Sequence, residues 1–248
     1  MKLVGIWTIF DNEELLEGSI NQIKDHLDKV VVIYQKVSNF GEERDITLFL
    51  KDVLYRTGGE LIEYVPNLKG DSHYNQQSKL KQALKYVQDY SHYIYLAADE
   101  YYDTEQFLVN KIKISYGGYD SSACRMYTYF KTPEYRLKPI ENYYVPFISS
   151  VPKNPVFNQK RYPVKVDPSR CIVPCKRFYK FEEEELMMHH YSWVRRDLKR
   201  KLKNHSLSVR YNIEKIENEV KSWQFGQKLP FFNGFEAEKC ENEFHVSI

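Results

Sequence analysis

Continuous apolar runs that alternate with amphipathic helical stretches constrain this chain more than any single motif. Leu3 to Phe10 is an apolar run of strand length, and Val30-Val31-Val32-Ile33-Tyr34 and Tyr93-Ile94-Tyr95-Leu96 repeat the pattern. Runs with no polar alternation belong to strands buried on both faces. After Asn12-Glu13-Glu14, Leu15, Leu16, Ile20, Ile23 and Leu27 recur at helical spacing, with acids in the first turn where they complement the helix dipole. Ile46 to Tyr55 reads as a second helix and Leu61 to Val65 as a short strand. Ser78 to Tyr90 reads as a third helix, through Leu80, Ala83, Leu84 and Val87. This order predicts an α/β fold with a doubly wound, mainly parallel sheet, and the right-handed crossover rule leaves few other topologies.

Beyond Glu100 the character changes. Thr104 to Ile114 is helical in pattern, and Tyr119 to Ile148 holds short runs rich in Tyr, Phe, Thr and Val, cut by Pro133, Pro139 and Pro146. These predict a smaller antiparallel portion covering the front of the first sheet. Val194 to Leu207 is basic, with Trp193, Leu198 and Leu202 on one side, and reads as an amphipathic helix. Ile213 to Trp223 reads as another, and the polar tail from Phe231 as irregular. The expected division is one domain over 1–210 with a C-terminal helical extension, 211–248, packed on it.

The formal charge of +2, from 36 basic and 34 acidic residues, excludes the global basic field of a nucleic-acid binder. Four scattered cysteines make neither a disulfide framework nor a zinc site and read as free thiols in a reducing compartment. The apolar N-terminal run is too short for a signal peptide, and no segment approaches a membrane span. A soluble, cytoplasmic protein is expected. Tyrosine is abundant, 21 residues against 14 Phe and 3 Trp; its flat face and hydroxyl rim suit bases and sugars, and compositional bias is the alternative.

Where the fourth apolar run ends, Ala97-Ala98-Asp99-Glu100-Tyr101-Tyr102 brings adjacent carboxylates to a strand terminus. Open α/β sheets bind ligands beyond the carboxyl ends of their strands, and a carboxylate delivered there suits a hard divalent cation that also holds substrate phosphates. The plainer alternative is a helix N-cap for the segment from Thr104. Far downstream, Met187 to Asp197 adds His189, His190, Arg195 and Arg196. Adjacent side chains point in different directions, so only one histidine can serve a metal, and His190 is preferred; a buried structural histidine is the competing reading. Arg195, Arg196 and Lys201 are candidate diphosphate clamps. The alternative is a basic face on water or anionic lipid, which would give the 194–207 helix peripheral membrane contact.

These stretches resemble family 2 type glycosyltransferases. Asn12-Glu13-Glu14 after the first strand, and Val30 to Ile33 leading to a polar loop with Ser38, resemble that family's opening. Ser91 to Tyr102 resembles its DxD strand end, in the variant D-x-D-E followed by aromatics. Met188 to Asp197, followed by Lys201-Leu202-Lys203-Asn204, resembles a C-terminal motif of small GT-A enzymes from bacteria and large viruses. The resemblance spans residues 1 to 210 and implies a GT-A fold, a nucleoside-diphosphate-sugar donor of UDP or GDP type, and Mn2+ or Mg2+ at the diphosphate. Carried over, Asp99 would ligate the metal and His190 or His189 would complete its site. Asp11, Asn12 and Glu13 would lie beneath the nucleotide, with Ala98 in the same donor-binding stretch. Lys79 falls where a residue of the family approaches the donor, although a solvated helix lysine is the plainer reading.

Two positions depart from the family. The first Asp of DxD is Ala97, with Glu100 as the nearest substitute, and the Asp that usually reads uracil is replaced by Tyr34-Gln35. Gln35 could then read a base edge and Tyr34 stack on it. The expected activity is transfer of a hexose to a glycan or glycolipid acceptor, inverting by analogy with the family. Asp120, on its Gly-rich loop, is the first choice for the general base and Glu141 the second. The rivals are a nucleotidyltransferase, against which stands the lack of any Gly or basic residue in Thr8 to Glu14, and a non-catalytic nucleotide-sugar binding protein, which Ala97 favours.

Overall fold

The computed structural model describes residues 1–205 and 212–248. β1 (Leu3–Ile9), α1 (Glu13–Ile23), β2 (Lys29–Tyr34), α2 (Thr47–Thr57), β3 (Glu60–Glu63), α3 (Ser72–Lys85) and β4 (His92–Ala97) follow one another in the expected order. Their strands pair in parallel, β4-β1-β2-β3. Because strand side chains alternate, β1 sends Leu3 and Trp7 to one face with Leu16, Ile20 and Leu50, and Val4 and Ile6 to the other with Leu80, Leu84 and Val87. Helix α3 begins six residues before the expected Ser78. Its polar first turns hide it in the sequence, and the Asp71 carboxylate caps it by accepting from the Tyr74 N–H at 2.7 Å.

The second half adds β5 (Glu100–Tyr101), α4 (Thr104–Gly117), β6 (Ser121–Phe130), β7 (Tyr135–Lys138), β8 (Val145–Ser150), β9 (Val156–Phe157), β10 (Ile172–Val173), β11 (Phe178–Lys180), β12 (Met187–Trp193), α5 (Leu198–Asn204), α6 (Ile213–Ser222) and β13 (Glu236–Lys239). β8 joins β4 antiparallel and carries β6, then β7 and β13, into one mixed sheet of eleven strands; β9 and β10 form a separate antiparallel pair. β12 runs parallel to β6 and antiparallel to β5, joining the downstream histidines to the end of β4.

Two expectations about the C-terminal part change. The basic helix placed over 194–207 is confined, in the described residues, to α5, which starts where Asp197 accepts from the Arg200 N–H; Leu207 and the boundary at 210 and 211 lie outside the described residues. The tail is not wholly irregular. β13 pairs with β7, and Val246 is buried with Tyr129 and Tyr191. α6 packs Ile216 and Val220 on Leu198, Leu202 and Phe130. No helix of the described residues is long and apolar enough to cross a membrane.

Candidate active site

The carboxyl ends of β1, β2 and β4 open onto a cleft of about 740 Å³, solvent mouth included, walled on the far side by Arg195, Lys201 and His205. Asp99 sits at its floor in the turn between β4 and β5, 3 % exposed. β12 fixes this turn: the Tyr191 N–H donates to the Asp99 carbonyl at 2.8 Å, and His190 lies opposite Glu100 in register. From below, the Trp7 indole N–H donates to Ser19 Oγ at 2.8 Å, and Ser19 donates to the Glu100 carbonyl at 2.6 Å. Gly18 lets Tyr101 come close enough for its hydroxyl to donate to the Leu15 carbonyl at 2.6 Å, since a Cβ there would sit 2.6 Å from that oxygen.

Arg195 organises the charges. Its guanidinium donates to Asp99 Oδ2 at 2.5 Å and to Asp11 Oδ1 at 3.2 Å, and its Nε donates to the Ser192 carbonyl at 2.8 Å. His190 Nε2 lies 3.7 Å from the same Asp99 oxygen. Burial alone would raise the Asp99 carboxyl, but Arg195, then His190 and Lys201, overcome it and hold its pKa at about 2. Lys201 donates to both the carbonyl and the hydroxyl of Ser192. Burial, and next Arg195, depress its pKa well below the usual lysine range, against the pull of Asp99, Asp11 and Glu141.

Lys79 is not solvated. It is 2 % exposed on the inner face of α3, lines the cleft, and among the described residues forms no salt bridge or hydrogen bond; its nearest partner is the Tyr64 ring, 6.0 Å from the ammonium. Burial pushes its pKa down to about 7, with Asp11 opposing. Asn12, before α1, holds a left-handed φ of 70°, a conformation that Asn tolerates better than most residues. It is buried with neither side-chain polar atom partnered, and the Gln35 Oε1 is likewise unpartnered. Both residues face the cleft. Buried polar atoms left unmet cost free energy, so these suit a polar ligand.

Several expected residues lie elsewhere. His189 faces away from Asp99, because successive strand residues take opposite faces; it sits among Tyr127, Tyr129 and Phe244, its Nδ1 2.7 Å from the Tyr129 hydroxyl, and burial lowers its pKa to about 4. Tyr34 turns toward α2, donating to Glu63 at 2.9 Å and accepting from the Thr47 hydroxyl, and does not line the cleft. Glu13 pairs with Arg44 beside the cleft. Arg196 is exposed on the same side of α1, where its N–H donates to Glu14, and lies outside the main cleft. Asp120 accepts from the N–H groups of Lys176 and Arg177 at the start of β6. Its carbonyl binds the Ser150 N–H, opposite His92, so it lies beside the beginning of β4, roughly 17 Å from the cleft at ~3.3 Å per strand residue.

Glu141 is close to the site. Its carboxylate accepts from the Thr128 hydroxyl, and Thr128 lies beside His190 in the parallel β6–β12 register. Asp11, Ala98 and Lys79 also line the cleft as expected. Arg170 carried no sequence signal, since it comes from an irregular loop. It grips Glu100 with two hydrogen bonds of 2.7 and 2.9 Å, and Glu100 also accepts from the Ala97 N–H at 3.0 Å. Glu100 is therefore a structural carboxylate. The helix-cap alternative for Asp99 also fails, because Asp103 caps α4.

These residues do not make the divalent-cation site expected from the family. Ala97 offers a methyl group in place of the first carboxylate, Glu100 is held by Arg170, and one of the two Asp99 oxygens, Oδ2, is taken by Arg195. Among the described residues no three His, Cys, Asp or Glu side chains are grouped to hold a metal.

The architecture is that of the GT-A type glycosyltransferases. The structure of S. aureus TarS 1–349 in complex with UDP superposes with a TM-score of 0.51 at 13% identity, over 85% of this chain and 68% of that one. The complex with UDP-GlcNAc gives 0.50 at 13% identity, over 82% and 65%. Glucosyl-3-phosphoglycerate synthase from Mycobacterium tuberculosis, in complex with Mn2+, UDP and phosphoglyceric acid, is more distant, with a TM-score of 0.34 at 10% identity over 51% of this chain and 43% of that one. The chain spans 64% of the TarS 1–349 chain and 38% of the longer TarS chain. No protein-family model and no curated protein matches the sequence.

Proposed function

We propose that the protein is a glycosyltransferase that moves a hexose from a nucleoside-diphosphate sugar to a hydroxyl of a glycan or glycolipid acceptor. The observation that carries this reading is the cleft itself: Lys79, Arg195 and Lys201 surround it, and Asn12 and Gln35, each with an unpartnered buried polar atom, are part of its lining. Cations set around a departing diphosphate stabilise charge that develops in the transition state. Arg195, oriented by Asp99, Asp11 and Ser192, is held ready for that role. Gln35 and Asn12 offer amide edges to the base and ribose. Glu141, beside His190, would take the acceptor proton in a single inverting displacement. The four free cysteines fit a reducing, cytoplasmic setting.

Calorimetric titration of UDP, GDP and CDP against wild type and Asp99→Ala tests the reading. One nucleotide should bind and lose affinity in the variant, and its hexose conjugate should be hydrolysed or transferred. Binding without turnover would point to a non-catalytic nucleotide-sugar protein. No binding by the folded protein would overturn the site altogether.

A further inference from the structure

We propose that this chain neutralises the donor diphosphate with its own cations, Lys79, Arg195 and Lys201, in place of a divalent metal; the inference rests on the glycosyltransferase reading above. A divalent ion at a diphosphate needs carboxylate oxygens free to ligate it. Here Arg195 bridges Asp99 and Asp11, the two carboxylates that line the cleft. The guanidinium thus holds the position between acidic groups that a metal would take, and its backbone anchor at Ser192 fixes it there. Of the nearby carboxylates outside the lining, Glu100 is committed to Arg170, itself well buried, and Glu141 accepts from the Thr128 hydroxyl.

The other two cations are placed as ligand groups. An ammonium as deeply buried as that of Lys79 is ordinarily paired, yet it faces the cleft with no anion in hydrogen-bond contact among the described residues. Lys201 spends two of its three donors on Ser192, which leaves one for a ligand. Three basic side chains face two carboxylates across the cleft lining, an excess of one basic group, and an incoming diphosphate would favour the protonated form of both lysines. Ala97 completes the picture, since a carboxylate at that position would restore the missing metal ligand and cancel the excess.

The test is calorimetry with UDP and GDP, each in EDTA and again in Mn2+ or Mg2+, on wild type, Lys79→Met and Lys201→Met, with circular dichroism to show that each protein is folded. The expected result is a nucleotide that binds in EDTA within about threefold of its affinity in Mn2+, with at least a tenfold loss in Lys79→Met; Lys201→Met gives an independent second reading should Lys79→Met fold poorly. Binding at least tenfold tighter with metal than in EDTA would overturn the inference and leave the glycosyltransferase reading standing. Absence of binding in both conditions would instead defeat that reading. Equal affinity of both variants and wild type would also overturn the inference, because the cations would then not be touching the diphosphate.

Discussion

Replacing Lys79 with methionine should make the protein more stable while removing its affinity for a diphosphate. The groups facing this lysine are Asp11 after β1, Tyr64 after β3, and Lys201 and His205 across the cleft. Burial takes its pKa from 10.5 to about 7. In that interval the unfolded chain binds more protons than the folded one, so stability rises with pH. The destabilisation is complete below pH 7 and disappears toward pH 10.5. At about 1.4 kcal/mol per pKa unit the shift sets a ceiling of roughly 4–5 kcal/mol. Water in the open cleft screens the ammonium and lowers this to about 2–4 kcal/mol, equivalent to ~2–4 °C in Tm for each kcal/mol at this chain length. Methionine keeps the length of the side chain and removes its charge. Urea unfolding of both proteins near pH 6.5 and pH 10 is the assay. The variant should be the more stable at the lower pH, with the difference closing at the higher. A variant no more stable than wild type at pH 6.5, or a difference that ignores pH, would refute the account of Lys79 as an unpaired buried cation.

Three further outcomes follow from the same geometry. Glu100→Gln strands Arg170 in the interior and should cost about 3–5 kcal/mol in chemical denaturation; a loss below about 1 kcal/mol would mean that the pair does not hold the turn. The two histidines should separate cleanly. His189→Ala leaves the Tyr129 hydroxyl without its partner and should cost about 1–3 kcal/mol with nucleotide affinity intact, whereas His190→Ala should change affinity with stability within about 1 kcal/mol of wild type. Once a donor and acceptor are in hand, Glu141→Gln should lower kcat by about 10²–10⁴ with the donor KM unchanged, and Asp120→Asn should leave the rate alone; the reverse ranking would move the base back to the start of β6.

The first half of the fold was legible because its signals are local. Continuous apolar runs and helical spacing from Leu3 to Leu96 depend only on which faces are buried, and β1 to β4 pair accordingly. What failed to read was set by contacts between distant segments. The strand Met187–Trp193 gains its structure from β6 and β5, so the sequence could say that one histidine serves but not which face each takes. Lys79 reads as solvated because polarity on a helix normally marks the outer face; here Asn75, Lys79 and Ala83 form an inward stripe one turn apart, and Asn75 is hydrogen-bonded to Tyr64 and Asn67. Asp120 reads as the general base because it follows Gly117-Gly118 on a Gly-rich loop. Gly118 instead closes α4 with a φ of 63°, and the Asp120 carboxylate accepts from the backbone N–H groups of Lys176 and Arg177 just ahead of β11. Glu100 reads as the nearest substitute for the missing Asp because its partner Arg170 is seventy positions away.

The alternation along β12 also bears on how this segment can change in length. His189, with Tyr191, belongs to an aromatic layer behind the sheet, while His190 and Ser192 serve the cleft. β6 holds this register from Met187 to His190 and β5 holds it at His189 and His190, ahead of an irregularity between His190 and Trp193. Deleting one residue within Met187–His190 would exchange the two sets, since a one-residue slip turns every side chain over. An imidazole and a hydroxyl would enter the aromatic layer, and a tyrosine would fill the cleft. The exposed run Glu182 to Glu184 just ahead can absorb a lost or gained residue in its turn. Viable indels in this region should therefore cluster before Glu185 and stop abruptly at the strand.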